Sequence, residues 1–279
     1  DGVVEYDGKT VLESLPECNI FRACTDNDGI RGWDGQEHKP MGLWLKAGLD
    51  RLKRTASTCR VENSGNAAVA TIEREFAGSD KKAPIRFTEK ITVGGDGVVR
   101  FDCSYEIAEA LPTLPRVGVS FLTAPGFEEL EYFGRGPFEN YIDRNRAAFV
   151  GRYATTVTEN YVDYILPQEN GNRTRVEFAA FRPGEGAGLL VTAPGGMEFS
   201  ASRYSVDQLW RAKHTCDLTP ESVIYLNIDL RQRGVGTGSC GPDTREAYRI
   251  APGRYQFSIL LAGLPEKADA AKLARSLVN

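Results

Sequence analysis

Histidine is scarce in this chain: His38 and His214 are the only two among 279 residues. A histidine-based zinc site would need both, joined by thiolates or carboxylates that only folding could gather, because the two are not at helical ligand spacing. No metal site is expected. His214 sits in Arg211-Ala212-Lys213-His214-Thr215-Cys216-Asp217-Leu218, beside a cation and near a carboxylate. That setting suits a general acid or a donor to a sugar hydroxyl, although a hydrogen-bonded structural histidine is the commoner outcome. A serine nucleophile calls for a Gly-x-Ser-x-Gly elbow, or a histidine and a carboxylate ordered around it. Gly236-Thr237-Gly238-Ser239-Cys240-Gly241 has the glycines without that pattern. Nothing nearby activates Cys240 as a thiolate, so it reads as a loop thiol. Glycoside hydrolysis needs two carboxylates about 5–5.5 Å apart for retention, or farther for inversion. The 38 acidic residues offer many pairs and privilege none.

The densest mixture of polar and aromatic residues is Tyr132-Phe133-Gly134-Arg135-Gly136-Pro137-Phe138-Glu139-Asn140-Tyr141-Ile142-Asp143-Arg144, with its sequel Leu166-Pro167-Gln168-Glu169-Asn170-Gly171. Glycine loosens the backbone and proline removes a donor, which disfavours a continuous helix or a central strand there. A long polar connection either functions or caps an open end of a core, and its charges must be paired where they are buried. Read bare, the stretch points to architecture more than to binding. Asp26, Asp28 and Glu37 fall at positions 1, 3 and 12 of an EF-hand-like frame, but Ile30 and Arg31 stand where an oxygen ligand and a glycine are needed. The stretch reads instead as an Asx-rich loop bonded to its own backbone. Asn172-Arg173-Thr174 formally matches a glycosylation acceptor, a tripeptide that arises often by chance.

The elements that must position these groups are mainly β. One early helix is predicted over residues 43–58, with Leu45, Leu49, Leu52 and Ala56 on its buried face. From about residue 61 to 261 the period becomes two. Ile85–Val93 and Val99–Ile107 alternate apolar with polar residues, and Gly94-Gly95-Asp96-Gly97 between them predicts a hairpin with one wet face. Further strands are predicted at 117–122, 129–133, 176–181, 188–192, 225–230 and 255–261, with a helical turn at 209–212. A terminal helix starting near Asp269, marked by Ala270, Leu273, Ala274 and Leu277, should pack on the outside. Strands do not alternate with helices, so a parallel α/β sheet is excluded in favour of two large antiparallel sheets packed face to face.

A hydrophobic fraction of 41% supports a substantial core. The net charge of −4, with both signs interspersed, gives no case for nucleic acid or an anionic membrane as partner. No apolar run approaches the roughly 20 residues of a membrane-spanning helix. Residues 1–279 are read as a single domain, with 1–20 as a lead-in segment and 265–279 as the terminal helix. The start, Asp1-Gly2-Val3-Val4, has neither initiator methionine nor signal segment and is expected to be a cut-out or processed piece. Six cysteines without a CxxC pair predict reduced thiols and a cytoplasmic setting.

Residues 132–144 and 167–171 resemble the G-x-G-P-x-E-N-Y-x-D-R and P-x-E-N-G signatures of the C-terminal, small-chain domain of family-2 β-galactosidases. Three more stretches agree in order: Phe21-Arg22-Ala23-Cys24-Thr25-Asp26-Asn27-Asp28, then Ser202-Arg203-Tyr204-Ser205, then Leu226-Asn227-Ile228-Asp229 leading to Gly234-Val235-Gly236. The resemblance implies a β-supersandwich, galactose mutarotase-like and similar to aldose epimerases. It also implies a non-catalytic role. The family's acid/base and nucleophile glutamates lie on an upstream TIM barrel, and Glu139, Glu169 and Glu177 match neither motif, so no catalytic residue is expected here.

The resemblance further implies that loop 234–244 reaches the barrel's active site, with Cys240 where the family often carries a tryptophan that stacks on sugar. Ser239, Cys240, Arg135, Glu139, Asn140, Glu169 and His214 are then the candidate substrate-side residues. The implied partners are the upstream domains of the parent chain and, in the full enzyme, a galactoside; a homo-oligomer is compatible. No cofactor is expected in this segment, while the full enzyme has room for a divalent or monovalent cation. Two alternatives stay open: a free-standing aldose 1-epimerase-like enzyme with a histidine acid and a glutamate base, or a carbohydrate-binding module. The module would display exposed aromatics, for which Trp33, Trp44 and Trp210 are the only tryptophans.

Overall fold

A computed structural model describes residues 2–238 and 241–278. Three short strands lead in: β1 (Val4–Tyr6), β2 (Lys9–Leu12) and β3 (Glu17–Asn19). A long loop then enters helix α1 (Pro40–Ala47), followed by β4 (Lys53–Ser64), β5 (Ala67–Ala77), β6 (Ile85–Val93), β7 (Val99–Ile107), β8 (Arg116–Leu122), β9 (Glu129–Gly136) and β10 (Phe149–Thr156). After the single-turn helix α2 (Val157–Asn160) come β11 (Arg173–Arg182), β12 (Gly188–Ser202), helix α3 (Val206–Arg211), β13 (Tyr225–Gln232), β14 (Arg254–Leu264) and helix α4 (Ala270–Val278).

Every strand pair is antiparallel, and the main ladder runs β10-β9-β11-β12-β14-β7-β6-β5-β4. It forks at β12. Residues 188–192 of this strand pair with β14, whereas residues 198–202 pair with β13, which continues to β8 and β3. Pro194-Gly195-Gly196 lies at the fork, and both glycines take left-handed backbone angles, φ 92° and 86°. The two antiparallel sheets expected from the sequence are therefore two layers that share one bent strand.

The layers meet through side chains that are not ladder neighbours. Phe101 of β7 sits edge-on to Phe121 of β8 with ring centroids 5.7 Å apart, and the Tyr105 hydroxyl of β7 donates to the Gly118 carbonyl of β8 at 2.5 Å. Strands β6 and β7 match the expected hairpin at both ends and bury alternate residues, as a one-sided wet strand must. Helix α4 starts behind Asp269, whose Oδ1 accepts the Ala271 N–H at 2.9 Å. It buries Ala270 and Ala274 against Phe178, Ala180, Leu190 and Leu264 on the outer face, as the terminal pattern predicts.

The early helix is corrected. It ends at Ala47 because Gly48 turns left-handed, φ 76°, and its N–H caps the Leu45 and Trp44 carbonyls. From Lys53 the chain is strand β4, paired with β5 along its length apart from a bulge at Thr55, and Ala56 is exposed rather than buried. Pairing along a sheet edge overrode a short run of helical spacing. Strand β9 is central and extends through Gly136, three residues beyond the expected end. Gly134 permits this, since a β-carbon there would stand 2.7 Å from the Val176 side chain. Replacing Phe101 by alanine is expected to lower unfolding free energy by about 3–5 kcal/mol, read from urea denaturation, by opening a cavity between the layers.

Candidate functional site

At one end of the layers, residues far apart in sequence share a buried ionic network. Arg116 enters from β8 and Asp229 from the adjacent β13; Nε donates to Oδ1 at 3.1 Å and Nη2 to Oδ2 at 2.5 Å. The remaining Arg116 nitrogen, Nη1, reaches Glu169 Oε2 at 3.3 Å, and Gln232 donates to the other Glu169 oxygen at 3.3 Å. Gly118 makes room, because any β-carbon there would collide with the Asp229 carboxylate. Burial pushes the Asp229 and Glu169 carboxyls up while Arg116 pulls both back down. Burial also opposes the Arg116 charge, but Asp229 and Glu169 outweigh it and hold the guanidinium above its ordinary range.

A second guanidinium organises the loop after β3. Arg22 donates from Nη2 to Asp28 Oδ1 at 2.7 Å and from Nε to Oδ2 at 3.0 Å, and also to the carbonyls of Arg233 at 2.7 Å and Gly234 at 3.1 Å. Asp28 accepts the Thr25 N–H at 2.9 Å, so the Asx-rich loop is bonded to its own backbone as expected. Trp44 of α1 is fully buried with Arg22 and Arg233 over its ring at 5.8 and 5.7 Å. Its indole N–H is spent on the Thr113 carbonyl at 2.5 Å.

The signature loop holds the third set. Asp143 accepts the N–H groups of Val235 at 3.0 Å and Gly236 at 2.8 Å and the Thr244 hydroxyl at 3.0 Å, so it seats both ends of loop 234–244. Side chains at Gly234 or Gly236 would collide with Asp143 or Asn27, and Gly236 is left-handed at φ 78°. Glu139 accepts the Gly171 N–H at 2.8 Å and takes Arg144 and the Tyr164 hydroxyl as further donors. Glu139, Asp143 and Arg144 line a shallow pocket of about 440 Å³ with Phe138 at its side.

The structure does not gather Arg135, Glu139, Asn140 and Glu169 into one site: Glu169 belongs to the Arg116 network and Glu139 to the Arg144 set, and each of the four is already engaged. Arg135 Nη1 donates to the Asn145 and Ala148 carbonyls at 3.0 Å each. Asn140 donates to the Arg135 and Phe138 carbonyls and accepts from Thr174. These residues shape the loops. His214 is exposed at the start of a short turn, where its N–H donates to Asp217 at 3.0 Å, and takes no part in the network. Ser239 and Cys240 lie outside the described residues.

Among the described residues, no three His, Cys, Asp or Glu side chains stand together as a metal site would require, and no helix is long and apolar enough to cross a membrane. Cys18, Cys24, Cys59, Cys103 and Cys216 are all free thiols. Asn172 is fully buried and donates to Glu198 at 2.9 Å, so it presents no glycan acceptor. Trp33 is 64% exposed, whereas Trp210 lies under Arg31 at 4.9 Å. Sequence reasoning missed Arg116, Asp229 and Arg233. The available signal was a charge in an otherwise apolar strand run, as in Leu226-Asn227-Ile228-Asp229, where all four residues are buried.

The fold is that of the galactose mutarotase-like proteins. A solved galactose 1-epimerase from Lactobacillus acidophilus NCFM superposes with a TM-score of 0.53 at 7% identity, covering 93% of this chain and 86% of that one. The β-galactosidase small chain family matches residues 3–261, and this chain belongs to it. A β-galactosidase of Staphylococcus xylosus is 33% identical over 245 residues, and one of Actinobacillus pleuropneumoniae is 28% identical over 254. The matches cover 87% and 91% of this chain but 23% and 24% of those relatives, so the chain spans about a quarter of their length.

Removing the Asp143 carboxylate should loosen loop 234–244. Asp143→Ala is expected to cost about 2–3 kcal/mol and to speed amide exchange at Val235 and Gly236, read by hydrogen–deuterium exchange. Glu198 gives a pH signature. Burial pushes its carboxyl from 4.5 up to about 8 against the pull of Asn172. The folded chain then holds a proton that the unfolded chain has lost, so this contribution is complete below about pH 4.5 and fades as pH rises through about 8. In Glu198→Gln, the fall in urea midpoint between about pH 5 and pH 8 should be shallower than in the parent.

Proposed function

We propose that this chain is a non-catalytic part of a β-galactosidase that shapes the aglycone side of the active site in the full-length enzyme. The observation that carries this reading is the grip of Asp143 on the backbone of Val235 and Gly236. It joins the signature stretch to the loop that the family resemblance aims at the sugar. The engaged carboxylates support the same reading: Asp28 is bonded to Arg22, Asp229 and Glu169 to Arg116, and Glu139 to Arg144. None stands as half of a free acid–nucleophile pair. The reactive carboxylates and the galactose-binding face then belong to the remainder of the parent chain, which is this chain's principal partner.

The purified 279-residue chain is expected to release no nitrophenol from a nitrophenyl β-D-galactoside at any pH. In the full-length enzyme, Asp143→Ala should lower kcat/KM for lactose at least about tenfold, with a smaller effect on an activated aryl galactoside. Turnover by the isolated chain that disappears in Glu139→Gln would overturn the reading.

A further inference from the structure

A second cavity, to which loop 234–244 contributes no lining residue, lies between α4 and strands β9, β11 and β12, with a volume of about 830 Å³. That is the size of a small-molecule site. Phe133, Phe178 and Met197 supply an apolar lining. Arg152, Arg175 and Arg275 also line it, against the acidic residues Glu177 and Glu198. The wall formed by α4, residues 270–278, falls outside the span 3–261 over which the family matches.

The three cations are not equivalent. Arg152 is committed to Glu131 at 2.6 Å and Asp269 at 3.5 Å. Arg275 spends Nε on the Ala271 carbonyl at 3.2 Å, and among the described residues neither Arg275 nor Arg175 has a carboxylate partner. Arg175 is moreover held at φ 56°, in the irregular part of β11 where the register to β12 shifts. Side chains other than glycine rarely adopt that conformation, and such strain gathers at binding sites. Glu198 adds little negative charge, since burial keeps its carboxyl protonated up to about pH 8. With Arg152 paired and Glu198 neutral, Arg175 and Arg275, which have no salt-bridge partner among the described residues, outnumber Glu177 and leave the lining with one net positive charge over an apolar surface.

We propose that this cavity binds a small monoanion with an apolar body, of the aryl or short acyl carboxylate class, with Arg175 and Arg275 as its charge partners. The apolar part fills the space beside Phe178 and Met197, and the carboxylate meets the two arginines at the rim. A bidentate guanidinium–carboxylate contact in a partly dry site gives the charge discrimination that the lining alone lacks.

The test is calorimetric titration of the full-length protein carrying this chain with 4-phenylbutyrate, and with 4-phenyl-1-butanol as the uncharged counterpart. The carboxylate should bind at least tenfold more tightly than the alcohol. Arg175→Gly should raise its dissociation constant at least tenfold while leaving the thermal midpoint unchanged or higher, because glycine accepts the left-handed angle without strain. Arg275→Gln, on the exposed side of α4, should weaken binding in the same direction. Equal affinity for acid and alcohol, no binding of either, or full affinity in a folded Arg175→Gly variant would each overturn the assignment. The second of these is the result expected if another segment of the parent chain occupies the cavity.

Discussion

Taking a guanidinium out of water is expensive, and Arg116 is wholly buried. Desolvation costs several kcal/mol per ion unless geometry and further hydrogen bonds compensate. Here they do: Asp229 takes two of its nitrogens and Glu169 the third, across sequence separations of 113 and 53 residues. Once Arg116 occupies the interior, both acids must be there, at fixed distance and orientation. Strands β8 and β13 and the loop bearing Glu169 are thereby locked to one another. Among the described residues, no other wholly buried ion pair joins three separate segments.

The remaining loops are assembled from this lock outward. Glu169 donates its own N–H to the Ala23 carbonyl at 2.9 Å, which brings in the segment carrying Arg22. Arg22 in turn holds the carbonyls of Arg233 and Gly234, and Asp143 holds the next two N–H groups. The mouth of loop 234–244 is thus fixed from both sides before any ligand arrives. A loop ordered in advance loses less entropy on binding, which is how a segment without reactive groups contributes to a reaction performed elsewhere. Trp44 serves the same end. Its indole is the platform on which two like-charged guanidiniums tolerate each other's company.

Legibility in the sequence followed the range of the forces involved. Strands β6 and β7 could be read to the residue because one face is wet and the other dry, and period two records that directly. The helix over-extension came from Leu45, Leu49, Leu52 and Ala56, which mimic a buried helical stripe. Gly48 carried the opposing signal, a left-handed stop, and the structure obeyed it. Strand β10 is a half-exposed edge with little burial to pattern it, and it left no trace. The ionic network was legible as composition but not as pairing, since nothing local in Arg116 names Asp229. Even so, the stretches that carried the family resemblance converge in space, because those stretches hold the residues that this pairing constrains.

Strand β12 has an evolutionary corollary. A strand common to two layers cannot gain or lose a residue within either half without inverting every side chain beyond the change. The tolerant place is the bend at Pro194-Gly195-Gly196, where the alternation is already interrupted. Gly195 and Gly196 also border the cavity beside α4. Length variation among descendants of this fold is therefore channelled to one hinge, where it would remodel a ligand-sized hollow two residues before Glu198, the residue that pairs with Asp229 of the ionic lock.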